Sequence, residues 1–152
     1  WCPDLKTLLD ECFRVLKPEG LFLFSTFGPD TLKELKRSWS VVDSSPHVNE
    51  FTDMHDIGDY MLQSGFQSPV MEMERLTLTY DKVIDLMHDL KGIGAQTVHN
   101  RSKSLTGKKK FNKMIEMYEA YRKDDKLPAT YEVIYGHAWK QEKRFESISL
   151  DN

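Results

Sequence analysis

The chain has 152 residues, 39% hydrophobic and 30% charged, with a formal net charge of −3. That composition is enough for one core of ordinary size, belonging to a single globular domain or to part of a larger one, and it excludes a disordered chain. No apolar run approaches the roughly 20 residues of a bilayer span, and the start lacks both the basic residues and the apolar stretch of a signal peptide, so a cytoplasmic protein is expected.

Cys2 and Cys12 are the only cysteines. Neither sits in a Cys-x-x-Cys or His spacing suited to zinc or redox work, so two reduced thiols are expected. Trp1 leads straight into "CPDLKTLLDECFRVLK" without a Met start or a preceding strand. The expectation is a C-terminal fragment.

Leu5, Leu8, Leu9, Cys12, Phe13 and Leu16 recur at helical spacing after Pro3 and Asp4. This opening helix ends at "KPEG", where Lys17 suits the C-terminal dipole and Gly20 can take the turn. "LFLFSTF", Leu21 to Phe27, is apolar on both alternating faces at its start, which predicts a strand buried on both sides, as in a parallel α/β sheet. Gly28-Pro29 breaks it. Asp30 is then the candidate N-cap of a helix carrying Leu32, Leu35 and Trp39.

A polar loop around residues 43–51 precedes a short helix from about Asp53, with Met54, Ile57 and Met61 inward and Gly65 as its C-cap. "VMEMERLTLTY" alternates as a strand. A helix from about Asp81 carries Ile84, Met87 and Leu90 and ends at Gly92; a second, from about Thr106, carries Phe111, Met114, Ile115 and Tyr118. "LPATYEVIYGHAW" closes the order as a strand with Tyr131, Val133 and Tyr135 on one face. Residues 141–152 read as a tail. The class is α/β. A direct crossover needs about a dozen residues, so the segment at about 81–128 is an insertion with work of its own, a lid or a docking surface.

Gly92-Ile93-Gly94 is the only Gly-x-Gly. A nucleotide loop needs a strand before it and a helix after it, whereas here a helix precedes it and no third glycine follows, so a helix C-cap with a tight turn is the favoured reading. Just beyond lie His99, Asn100 and Arg101. They are ordinary solvated groups or, on the sharper reading, an anion site in which Arg101 grips a carboxylate with Lys91 one turn upstream. His47, His55, His88 and His137 form no close metal spacing, so no metal is expected.

Arg101, Lys103, Lys108, Lys109, Lys110 and Lys113 follow one another with no acidic residue between them. Cations in the first turn of a helix oppose its dipole by roughly 0.3–1 kcal/mol each, so local helix stability does not explain them. Either they form a solvated face or they meet an acidic partner. Nucleic acid is not the expected partner, because the interleaved aromatics of a single-strand platform are missing until Phe111 and Tyr118.

The stretch "FRVLKPEGLFLFSTFGPDTLKEL" resembles the fourth helix and fifth strand of a class I S-adenosylmethionine-dependent methyltransferase. "HVNEFTDMHDIGDYMLQSGFQSPVMEMERLTLTY", "LMHDLKGIGAQTVHNR" and "LPATYEVIYGHAW" narrow the resemblance to the malonyl-acyl-carrier-protein O-methyltransferases of biotin synthesis, from Trp1 to about Trp139. It implies a Rossmann-like mixed sheet with an antiparallel last strand, and methyl transfer from S-adenosylmethionine to the free carboxylate of a malonyl thioester. It further implies a substrate cap at about 81–128, with Arg101, Lys91 and His99 on the acyl carboxylate. Lys103, Lys108, Lys109, Lys110 and Lys113 would then dock an acidic acyl carrier protein. The family's main cofactor loop is not in this sequence, and only Trp1 comes from the edge of the cofactor region. Two alternatives stay open: another class I methyltransferase acting on a small acid or quinone-like acceptor, and a non-enzymatic module binding an acidic partner.

Overall fold

Residues 4–94 and 107–141 are described by a computed structural model of the chain; Trp1, His99, Arg101, Lys103 and the tail from 142 onward lie outside the described residues. The Asp4 side chain accepts from the Thr7 N–H at 3.0 Å and so caps α1 (Leu5–Val15). The other end of α1 is met from far along the chain. Lys140 Nζ donates to the carbonyls of Phe13 at 2.7 Å and Leu16 at 2.8 Å, and it lies 4.7 Å from the Phe13 ring centroid. In the turn that follows, Glu19 rather than Gly20 takes the left-handed conformation, at φ 60°.

Three strands, β1 (Leu21–Phe27), β2 (Gln67–Tyr80) and β3 (Leu127–Trp139), form one sheet in the order β1-β3-β2. Lys140 N–H donates to Gly20 O at 3.0 Å and Gly28 N–H donates to Glu132 O at 2.8 Å, so β3 runs antiparallel to β1. The antiparallel last strand is as expected, and it occupies the middle of the sheet.

That order bears on one expectation. β1 lies at the edge of the described sheet, and Leu21 and Leu23 on one of its faces are 45% and 70% exposed, so it is not buried on both sides. β3 is flanked by both other strands. Thr130, Glu132, Ile134, Gly136 and Ala138 are buried on one face, while Tyr135 on the other is exposed.

The chain divides into two compact units. The first draws on Trp1–Phe24, His55–Glu72 and Tyr135–Asn152. Its aromatic core joins α1 to β1: Phe13 meets Phe66 edge-on at 5.1 Å, and Phe22 stacks on Phe66 at 5.2 Å and on Phe24 at 5.3 Å. α3 (Met54–Gln63) adds buried Ile57 and Met61 and closes at Gly65, φ 99°, with Phe66 N–H returning to Met61 O, as the sequence predicts.

The second unit draws on Ser25–Met54 and Met73–Ile134. It holds α2 (Lys33–Ser40), α4 (Val83–Gly92) and α5 (Lys108–Glu119) around a core of Leu32, Leu35, Trp39, Leu86, Met114 and Tyr118 among others. α5 buries Met114 and Tyr118, as its periodicity predicts. α4 buries Val83, Leu86 and Leu90, so its inward stripe is set one residue back from Ile84 and Met87, and Ile84 is exposed. Val83, Leu86 and Leu90 sit at i, i+3 and i+7, an equally good helical stripe, which is why periodicity alone leaves the choice open. Among the described residues no helix is long and apolar enough to cross a membrane.

Candidate functional site

α4 runs to Gly92, Ile93 caps it, and Gly94 turns the chain at φ 75° with its N–H on Lys91 O at 3.1 Å. The Gly-x-Gly is therefore a helix C-terminus. Such an end presents carbonyls and the negative pole of the dipole, whereas a cofactor loop presents N–H groups after a strand. Lys91 is exposed in the last turn of α4, where a cation complements the dipole. Its expected companions His99 and Arg101 lie outside the described residues, as do Lys103 and Trp1.

Lys108, Lys109 and Lys110 occupy the first turn of α5, which Gly107 precedes without a side-chain cap and which contains no acidic residue. The structure gives these lysines different surroundings. Lys110 Nζ meets Asp43 Oδ2 at 2.8 Å, and Lys113 meets Glu116 at 3.0 Å. Asp43 also accepts from His47 at 2.8 Å, and the His47 ring stacks on Trp39 at 3.7 Å. The hydrogen bond from Lys110, followed by that from His47, holds the Asp43 carboxyl down at about 2. Lys108 and Lys109 remain exposed on the outer side of the turn. The basic run is thus two outward lysines beside one tied back to the Asp43 loop and one paired along its own helix.

A second polar assembly has no counterpart in the sequence reading. Asp30 does not cap α2; the N-cap position is Leu32, buried, with φ 56°. Asp30 instead pairs with Arg75 at 2.8 Å, and its N–H donates to Glu132 Oε2 at 2.7 Å. Thr31 Oγ accepts from the Glu132 N–H and donates to Glu132 O, both at 3.1 Å. Leu32 N–H donates to Thr130 O at 2.6 Å. The Glu34 carboxyl in turn accepts from Thr130 N–H at 3.0 Å and from the Thr130 hydroxyl. Glu34 and Glu132 are only 5% and 8% exposed.

Gly28 makes this turn fit, because a Cβ there would stand 2.7 Å from Glu132 Cδ. On the outer side Lys36 Nζ donates to Pro29 O at 2.9 Å, its pKa lowered by burial against the pull of Glu50, Asp30 and Glu132. The sequence signals a turn at Gly28-Pro29, but nothing local points to a carboxyl group about a hundred residues away.

No family model matches the chain. Among curated proteins, the malonyl-acyl-carrier-protein O-methyltransferases of Nitrosospira multiformis and Gallionella capsiferriformans are 57% and 55% identical to it over 145 residues, covering 95% of this chain and 47% and 50% of theirs. That of Coxiella burnetii, numbered 1, is 52% identical over 144 residues, 93% of this chain and 50% of its own. Solved structures share the fold. The YcgJ protein of Bacillus subtilis superposes with a TM-score of 0.53 at 15% identity, over 92% of this chain and 59% of its own. A provisionally assigned methyltransferase of Bacillus halodurans C-125 (BH2331) does so with 0.53 at 17% identity, with the same coverage. The chain shares the fold of these solved structures and is similar along 93–95% of its length to the malonyl-acyl-carrier-protein O-methyltransferases, spanning about half the length of the curated relatives it matches.

Proposed function

We propose that this chain is the substrate-handling part of an enzyme that methylates the free carboxylate of a malonyl group on acyl carrier protein, in biotin synthesis, with S-adenosylmethionine as methyl donor. The observation that carries the reading is the 57% identity over 145 residues to a protein of that name. That the Gly-x-Gly closes a helix rather than following a strand supports a main donor loop located elsewhere in the protein. The donor is therefore assigned to protein outside this chain, with Trp1 at the border.

The chemistry asks little of acid–base groups. A malonyl carboxylate, with an ordinary carboxylate pKa of about 4, is ionised at neutral pH, so no general base has to make the nucleophile. What this chain contributes is placement: cations to hold the carboxylate, a wall to exclude water, and a docking face for the carrier. Arg101, with Lys91 and His99, is the proposed carboxylate anchor. A grip that is too strong would weaken the attacking oxygen. Lys108 and Lys109, supported by Lys103, Lys110 and Lys113, form the proposed face for an acidic carrier, and the segment at about 81–128 is the cap that joins the two tasks.

The test is Arg101→Ala in the protein that joins this chain to its donor-binding part. Loss of a charge-assisted contact of about 1.5–3 kcal/mol predicts a ten- to hundredfold fall in kcat/KM for malonyl carrier, with donor affinity near normal. Unchanged turnover removes Arg101 from the site. Activity on another small acid but not on malonyl carrier or malonyl-CoA overturns the substrate.

A further inference from the structure

At the end of β1 the sheet changes partner. Beyond Phe27 no strand continues on the β1 side of β3 among the described residues, yet the peptide groups of Thr130 and Glu132 are buried and need partners. The turn after β1 supplies them. Glu132 receives Gly28 N–H and Thr31 Oγ on its carbonyl and gives its N–H to Thr31 Oγ, while Thr130 gives its N–H to the Glu34 carboxyl and takes Leu32 N–H on its carbonyl. The exchange is reciprocal. β3 sends the Glu132 carboxyl into the turn, onto Asp30 N–H, and α2 sends the Glu34 carboxyl onto β3.

Two carboxyl groups at 5% and 8% exposure are costly to bury, and apolar side chains of similar volume would pack more cheaply. What the network gives in return is one fixed conformation of Gly28–Leu32, including a buried leucine at φ 56° that the Thr130 carbonyl holds in place. Lys36 fixes the same turn from outside through Pro29 O. The turn stands at the carboxyl end of β1, the side on which open α/β sheets take their ligands.

We propose that Glu132 and Glu34 are positioning residues of the methyl-acceptor site: their exchanged carboxyl groups hold the Gly28–Leu32 turn rigid as one wall against which the acyl carboxylate is oriented. This rests on the acceptor-methylating reading above. The wall acts by keeping the reacting oxygen in line and water out, so slackening it misplaces the acceptor and leaves the donor untouched.

The experiment compares Glu132→Ala, Glu132→Gln and the unsubstituted protein, each joined to its donor-binding part, for kcat, KM, donor affinity and thermal stability. Glu132→Ala orphans the Asp30 N–H, and the expected result is kcat/KM for malonyl carrier lowered about tenfold or more with donor Kd within about twofold. Glu132→Gln keeps an acceptor for that N–H and is expected to recover most of the loss. Should Glu132→Ala not fold, Gly28→Ala carries the test by crowding the same carboxyl at 2.7 Å, with the same expected fall. A lowered Tm with kcat and KM unchanged in the folded fraction makes the network merely structural and overturns the proposal. An equal fall in donor affinity does so too. An unsubstituted protein inactive on every malonyl acceptor instead overturns the parent reading.

Discussion

Gly92 and Gly94 offer a sharp contrast within three residues. A Cβ at either would meet nothing within 4 Å, so crowding plays no part at either site. Only backbone conformation separates them. Gly92 is the last residue of α4, where alanine restricts the unfolded chain and favours the helix, a gain of about 0.5–1 kcal/mol. Gly94 sits at φ 75°, where alanine costs about 1–2 kcal/mol. The two variants should therefore differ by about 1.5–3 kcal/mol, or about 4–10 °C in Tm, Gly92→Ala above the unsubstituted protein and Gly94→Ala below it. Thermal unfolding followed by far-UV circular dichroism measures both, and Gly94→Asn should regain part of the loss because asparagine tolerates the left-handed region. Equal stability of the two alanine variants, or Gly92→Ala the weaker, would refute the helix C-cap.

Further outcomes follow from the charges. Asp43 is held at about 2 against an ordinary 3.8, so the stabilisation from its bonds to Lys110 and His47 is complete above about pH 4 and drains as pH falls toward 2. Asp43→Asn should flatten acid unfolding in that window, and an NMR titration midpoint near 3.8 would contradict the pairing. Reversing Lys108 and Lys109 to glutamate should raise KM for the carrier about tenfold at low salt and far less at ~0.5 M, where the screening length falls to a few ångströms. Lys110→Ala, which removes a lysine already tied to Asp43, should move KM less, and equal effects would dissolve the distinction. Calorimetric titration of the 152 residues with S-adenosylmethionine should give weak binding or none, and micromolar affinity would place a donor site within them.

Element types are legible because periodicity and punctuation report them. The Leu/Phe run at Leu21–Phe27, Gly65 after α3, and Met114 with Tyr118 on α5 all fall where the pattern puts them. Which face turns inward is less so. α4 offers two stripes sharing Leu90, and only the packed neighbours choose between them; Leu21 and Leu23 read as core in the sequence but are exposed among the described residues. The proposed site divides in the same way. The lysine run is visible as composition, but the tie from Lys110 to Asp43 spans 67 positions, and those joining Glu34 to Thr130 and Glu132 to Asp30 span 96 and 102. No local rule reaches that far. An aspartate before a helix is usually its cap, which is why Asp30 suggests one; here the Asp30 carboxyl meets Arg75.

The placement of β3 between β1 and β2 sets a timetable for synthesis. β1 is finished at Phe27 and its described partner does not begin until Leu127, while the last carbonyls of α1 wait for Lys140. At ribosomal rates of about 5–20 residues per second, that leaves an apolar strand edge unpaired for roughly 5–20 s. β2 is completed in the interval with the same vacancy beside it. The nascent chain thus carries two strands that cannot be joined through β3 until it arrives, which leaves this stretch of synthesis exposed to misassociation.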